Sequence, residues 1–188
     1  ATDIEGHPDN VAPAIYGGFT VNTVTDGHVE CFSFLPRIFL RLVVMVPDFY
    51  LSTKSARQVL PSEVPMKDAV FNISHAAMMV AALARGSEKH LENAFADALH
   101  QNYRAPLIPG MFDVFAAAKK AGAYGAALSG AGPCLIAFVP EHRKCTEVVA
   151  AAMQDAFRAH EIEAHPLHLR LDTKGARVLR RRDMNAKR

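Results

Sequence analysis

The period of polar and apolar positions changes several times along the chain, and each change marks an element. Phe19-Thr20-Val21-Asn22-Thr23-Val24 and His28-Val29-Glu30-Cys31-Phe32-Ser33-Phe34 alternate on either side of Thr25-Asp26-Gly27, which predicts a β-hairpin with a tight turn. Leu40 to Val46 has Arg41 as its only polar residue and reads as a buried central strand closed by Pro47. Ser52-Thr53 offers a hydroxyl cap for a short helix toward Leu60-Pro61. Helical spacing follows over Met66 to Arg85, with Val70, Ile73, Ala77, Val80 and Ala84 on one face and Gly86 as the stop. Leu91 to Asn102 predicts another helix. After Pro106 and Pro109, Gly110 to Ala121 predicts one more, ended by Gly122. Met78, Met79, Phe95, Phe112 and Phe115 recur at helical spacing and are expected in the core.

The stretch Tyr124 to Val139 holds two short apolar runs joined by Gly130-Ala131-Gly132 with Pro133 behind. Each run has the length of a buried strand. The glycines admit two readings, a tight turn or a loop whose backbone N–H groups approach an anion. A helix over Arg143 to His160 and a strand over Ala164 to Asp172 complete the pattern. From Leu40 the order is strand, helices, strand, strand, helix, strand. That is the split βαβ, ferredoxin-like arrangement of the α+β class, with helices on one face of an antiparallel sheet.

Composition narrows the setting. The 188 residues, 50% of them hydrophobic, suffice for one domain core and part of a second. No apolar run approaches the roughly 18 to 20 residues of a membrane span, and the first residues lack the order of a signal peptide, so no membrane partner is expected and the cytoplasm is. Cys31, Cys134 and Cys145 are widely spaced and odd in number, which argues against a disulfide framework or a zinc site. His165 and His168 would face opposite sides of a strand, so no metal site is expected from them. The chain is net +2, but Arg177 to Arg188 holds six basic residues and one Asp, so the preceding 176 residues are net −3. Such a basic end reads as a solvated tail rather than a nucleic-acid contact.

Three stretches could carry chemistry. Glu5 to Pro13 holds His7, Asp9 and Asn10 between two prolines. They form either a helix N-cap at Asp9 or Asn10 or a cluster that orients a polar substrate. Thr53 and Arg57 are four apart on the short helix, so a hydroxyl and a guanidinium share a face and can converge on a carboxylate; a capped helix with a solvated Arg is the alternative. Arg104, in Tyr103-Arg104-Ala105-Pro106, is either a helix-end charge or a second clamp on the same anion.

Together these stretches resemble the homoserine kinases of the GHMP small-molecule kinase superfamily. The resemblance rests on Glu5-Gly-His-Pro-Asp-Asn-Val-Ala-Pro, Ser52-Thr53-Lys54-Ser55-Ala56-Arg57 with Leu60-Pro61, Asp68-Ala69-Val70-Phe71-Asn72, Tyr103-Arg104-Ala105-Pro106 and Leu128-Ser129-Gly130-Ala131-Gly132-Pro133. It covers nearly the whole chain to about Val178. It implies transfer of the γ-phosphate of ATP, with Mg²⁺, to the side-chain hydroxyl of L-homoserine on the route to threonine. It places His7, Asp9 and Asn10 around the substrate's amino and hydroxyl groups, with Asn10 nearest the reacting oxygen as the catalytic candidate. Thr53, Arg57 and Arg104 would bind the carboxylate. Gly130 would approach substrate and phosphates, and Gly132 would share the phosphate loop. No general base is identified, since Asp9 or Asn10 could either remove the hydroxyl proton or only orient it. Phosphoryl transfer depends chiefly on positioning and charge neutralisation, which a site without a strong base can supply.

One departure is large. The family's Pro-x-x-x-Gly-Leu-Gly-Ser-Ser type ATP loop and its acidic Mg²⁺ ligand do not occur in these 188 residues. Ala1 to Glu5 reads as the last turn of a helix already under way, so an N-terminal part of about 110 to 130 residues is expected to be missing, and this fragment alone is expected to be inactive. The expected division is 1–38 as the end of the ATP-binding domain, 39–175 as the GHMP kinase C-terminal domain and 176–188 as a basic tail. Bare apolar surface on such a part would favour self-association, with a homodimer as the simplest form. Two other readings stay open: a GHMP kinase for another small alcohol, and a non-catalytic amino-acid-binding module.

Overall fold

A computed structural model describes residues 2–178. The described chain divides into two units, one drawn from the segment up to Pro36 together with the segment from Leu171, the other from Arg37–Arg170. The division proposed from sequence, 39–175, encloses most of this second unit. The tail beyond Val178 lies outside the described residues.

In the first unit, α1 (Thr2–Glu5) and α2 (Pro8–Tyr16) precede the hairpin of β1 (Phe19–Thr25) and β2 (His28–Phe34). Thr25 pairs with His28, leaving Asp26-Gly27 as a two-residue loop. Both loop residues have positive φ, 51° and 78°, the geometry that matches the twist of a hairpin and that Asp-Gly tolerates. The segment after Arg170 returns to this unit. Gly18 N–H donates to the Asp172 carbonyl at 2.7 Å, and Ala176 N–H to the Ile15 carbonyl at 3.1 Å. The two backbones pass so closely that a Cβ on Gly175 would lie 2.2 Å from the Ile15 oxygen, and one on Gly17 would lie 2.5 Å from the Gly175 nitrogen. Only glycine fits at either crossing point.

In the second unit the elements are β3 (Leu40–Pro47), α3 (Thr53–Gln58), α4 (Met66–Arg85), α5 (Glu88–Leu91), α6 (Gln101–Arg104), α7 (Met111–Lys120), β4 (Gly125–Leu128), β5 (Leu135–Pro140), α8 (Thr146–Arg158) and β6 (Ala164–Arg170). The four strands form one antiparallel sheet in the order β4-β5-β3-β6, the ferredoxin-like order, and β3 is interior as its apolar run requires. Met45, Val43, Leu135, Ala137 and Val139 pack with Val114 and Ala118 of α7 and Val149, Met153 and Phe157 of α8 in one continuous core. Arg41 escapes that core by pairing with Glu141 just past the end of β5.

Two expectations fail. The helix over Leu91 to Asn102 is broken into α5, a run of turns and α6. Asp97 breaks it, because its carboxylate takes the N–H groups of His100 at 2.9 Å and Gln101 at 2.6 Å and so starts a new helix there. The second concerns helical spacing. Met78 is 42% exposed and Phe112 48%, so these two are not core residues, although Met79, Phe95 and Phe115 are partly covered. On α4 the buried side chains are Ala82 and Leu83, whereas Val70 and Ile73 on the predicted apolar face are 54% and 68% exposed.

Candidate functional site

The residues singled out from sequence divide between the two units. His7, Asp9 and Asn10 belong to the first. His7 occupies the N-cap position of α2 in extended geometry, its side chain making no cap, and Pro8 opens the helix where its missing N–H costs nothing. The N-cap is thus two or three residues earlier than the Asp9 or Asn10 reading. Both of those lie in the first turn and are exposed. One Asp9 oxygen accepts the Asn10 N–H at 3.0 Å, which leaves the Asp9 second oxygen and the whole Asn10 amide for another partner.

Thr53, Arg57, Arg104, Gly130 and Gly132 belong to the second unit. Ser52 caps α3, its hydroxyl accepting the Ser55 N–H at 3.0 Å. That frees the Thr53 hydroxyl. Thr53 and Arg57 are exposed on the same face of α3 and, with Lys54 and Gln58, line an open depression of about 450 Å³. Lys54 is a cation that the i, i+4 argument passed over, although it follows Thr53 directly.

Arg104 comes from the end of α6 and is half-buried. Its Nε–H donates to the Ala56 carbonyl of α3 at 3.0 Å, and Nη1 donates to the Gly130 carbonyl at 3.3 Å. One side chain therefore joins α3, α6 and the glycine loop. Burial holds its pKa below the ordinary guanidinium value, Asp97 opposes that, and the nearby charge of Arg57 adds to the lowering. Among the described residues neither Arg57 nor Arg104 has a carboxylate within 4 Å. Two cations held near each other without a counter-ion make a place for an anion.

The glycine loop keeps both of its sequence readings in part. Ser129 N–H donates to the Cys134 carbonyl and Gly132 N–H to the Ser129 carbonyl, as in a turn. A Cβ on Gly132 would lie 2.9 Å from Ile108 Cδ1, so that glycine has a packing reason. Gly130 is different. Its φ is +61°, nothing lies within 4 Å of where a Cβ would sit, and it is exposed, so a ligand can come against its backbone.

Two residues essential to this geometry were not anticipated. Gln101 is a buried polar residue, 5% exposed, and its Oε1 accepts the Leu128 N–H at 2.9 Å. Asp97 has a side chain 7% exposed and is held by Asn72 of α4, whose Nδ2–H donates to Oδ1 at 2.7 Å. Asn72 Oδ1 in turn accepts the Ala98 N–H at 2.7 Å. The position of Asn72 in the Asp68 to Asn72 motif was the only available signal, and its partner lies 25 residues away.

Residues 79–159, within the second unit, match the family model "GHMP kinases C terminal". Over most of its length the chain is similar to proteins named homoserine kinase. It is 42% identical over 179 residues to one from Desulfitobacterium hafniense, covering 95% of this chain and 60% of that protein. It is 51% identical over 138 residues to one from Moorella thermoacetica, covering 73% of this chain and 47% of the relative. The crystal structure of homoserine kinase from Cytophaga hutchinsonii superposes with a TM-score of 0.85 at 29% identity, over 92% of this chain and 54% of the other. The chain thus spans about half to three-fifths of the length of these relatives.

Proposed function

We propose that this chain forms the substrate-binding part of a kinase that moves the γ-phosphoryl group of ATP to the side-chain hydroxyl of L-homoserine. The observation that carries the reading is the pair Arg57 and Arg104, beside Thr53 and the Gly130 loop and, among the described residues, without a carboxylate within 4 Å. An amino-acid carboxylate fits that set: two guanidinium groups and a hydroxyl donate, and the carboxylate accepts. The similarity to homoserine kinases supports the choice of amino acid. The first unit is read as the end of the nucleotide-binding domain, where His7, Asp9 and Asn10 orient the amine and hydroxyl of the substrate, Asn10 standing nearest the reacting oxygen.

ATP, when bound, supplies the transferred phosphoryl group. Gly130, with open space at its Cα and the loop N–H groups of Gly130 and Ala131 outside the turn's own bonds, suits contact with a phosphate oxygen. Among the described residues no group of three or more His, Cys, Asp or Glu could hold a metal ion by itself. No helix among the described residues is long and apolar enough to cross a membrane. The proposed setting is the cytoplasm, a reading that the three free thiols support because they suit a reducing compartment.

The test is a panel of alcohols with the intact gene product and ATP, read as ADP release. L-Homoserine is expected to turn over, whereas 3-aminopropan-1-ol, which keeps the amine and alcohol but lacks the carboxylate, is expected to be poor. Arg57→Ala and Arg104→Ala each remove charged hydrogen bonds worth about 1.5 to 3 kcal/mol, so each raises the KM for homoserine by about 10- to 150-fold and leaves that for ATP nearly unchanged. Equal use of both alcohols, or equal loss of both substrates in the variants, would sink the carboxylate clamp.

A further inference from the structure

Helix α6 is four residues long, too short to hold its own shape or direction, because nucleating a helical turn is unfavourable. Its direction nevertheless decides where Arg104 points. We propose that Asp97 and Gln101 are positioning residues for Arg104, setting α6 so that the guanidinium stands between α3 and the glycine loop. The proposal rests on the carboxylate-clamp reading and adds the source of the clamp's rigidity.

Side chains at both ends fix α6. At its start, Asp97 Oδ2 accepts two successive backbone N–H groups, those of His100 and Gln101. Asp97 is itself fixed by Asn72, so the long helix α4 anchors the cap. The buried side chain of Gln101, the first residue of α6, accepts the Leu128 N–H and ties the helix to the end of β4, two residues before Gly130. At its end, Arg104 closes the frame on the carbonyls of Ala56 and Gly130. His100 completes a polar line between the two charges, with Nε2 3.5 Å from Asp97 Oδ1 and Nδ1 3.4 Å from Arg104 Nη1. The Nε2–H tautomer allows both contacts, because Nδ1 then accepts from the guanidinium. Arg104 thus has Nε and Nη1 engaged with protein and Nη2 left for a ligand. Carboxylate and guanidinium do not touch; Asp97 acts on Arg104 through the backbone of α6 and through His100.

Asp97→Ser keeps a cap acceptor but removes the charge and the reach to Asn72. In the intact gene product its KM for L-homoserine should rise about tenfold, with kcat and the KM for ATP within about twofold of the parent. In an Arg104→Ala background the same substitution should add nothing, since the residue it positions is gone. Equal increments in the two backgrounds, or an ATP KM that rises in step, would overturn the proposal. Gln101→Leu should behave as Asp97→Ser does. A gene product that does not phosphorylate L-homoserine defeats the functional reading instead, and the positioning role is then decided without turnover. The Arg104 Nε–H, bonded to Ala56, should give a slowly exchanging ¹⁵N side-chain resonance, assigned by its loss in Arg104→Lys. Loss or broadening of it in Asp97→Ser supports the role, and an unchanged resonance overturns it.

Discussion

The side chains around Arg104 respond to protons in a defined direction. Burial lowers the pKa of His100 from its ordinary 6.5, Asp97 works against that, and the Arg104 charge adds to the lowering. The folded state therefore favours neutral His100, and below about pH 6.5 the unfolded chain binds the proton more readily. Burial alone would raise Asp97, but the hydrogen bonds from Gln101, Asn72 and His100, with the His100 charge, outweigh it and place its pKa below 3.8. Asp97 hence stays ionised while His100 titrates, and the Arg104 guanidinium keeps its charge. Stability from neutral His100 is complete above pH 6.5 and is lost as the pH falls through its lowered folded value. Thermal melts of the parent and of His100→Gln, taken from about pH 7.5 to about pH 5.5, should show a steeper fall for the parent. Parallel curves would mean that His100 is not held neutral. The residue pattern told part of this in advance: Thr53 and Arg57 share a helix face by spacing alone, and they do meet at one surface. Asp97 was hidden because its partners are a side chain 25 positions earlier and backbone groups that only a broken helix exposes.

At the scale of elements, period predicts type well and burial less well. Met66 to Arg85 is helical over the length its spacing implied, with Gly86 accepting the left-handed cap. Its apolar stripe is nevertheless covered only near the C-terminal end. Leu83 is fully buried, but Ile73 is 68% exposed, so residues of the same kind on one helix carry different energies. Leu83→Ala should cost about 2 to 5 kcal/mol by transfer and cavity terms. Ile73→Lys, which removes no buried contact, should stay within about 0.5 kcal/mol. Denaturant melts with unchanged slope would measure both, and a large cost at Ile73 would show that its face is packed in solution. Amphipathic spacing marks which side of a helix is apolar. It does not say whether anything rests on that side.

At the scale of the whole molecule, the ferredoxin-like order of strands was readable from the chain because each apolar run is bounded by Gly, Pro or a helix-period segment. The return of the chain at Leu171 was not, since it depends on two distant backbones crossing at Gly17 and Gly175. The two units also differ in how they are held. Among the described residues the first unit buries only Pro8 and Ala12 of its apolar side chains, and the β1–β2 ladder has no fully buried residue. A two-stranded hairpin without a covered apolar face is marginal, whereas β3 and β5 lie under the continuous core of the second unit. Opening free energies should follow that difference. In hydrogen exchange of this chain, the amides of Val21 and Phe32 should therefore exchange well before those of Val43 and Ala137. With added denaturant, the hairpin should lose protection first, while the core strands keep theirs until global unfolding. Simultaneous loss at all four positions would show that the hairpin draws its stability from the same cooperative unit as the core, and not from its own ladder.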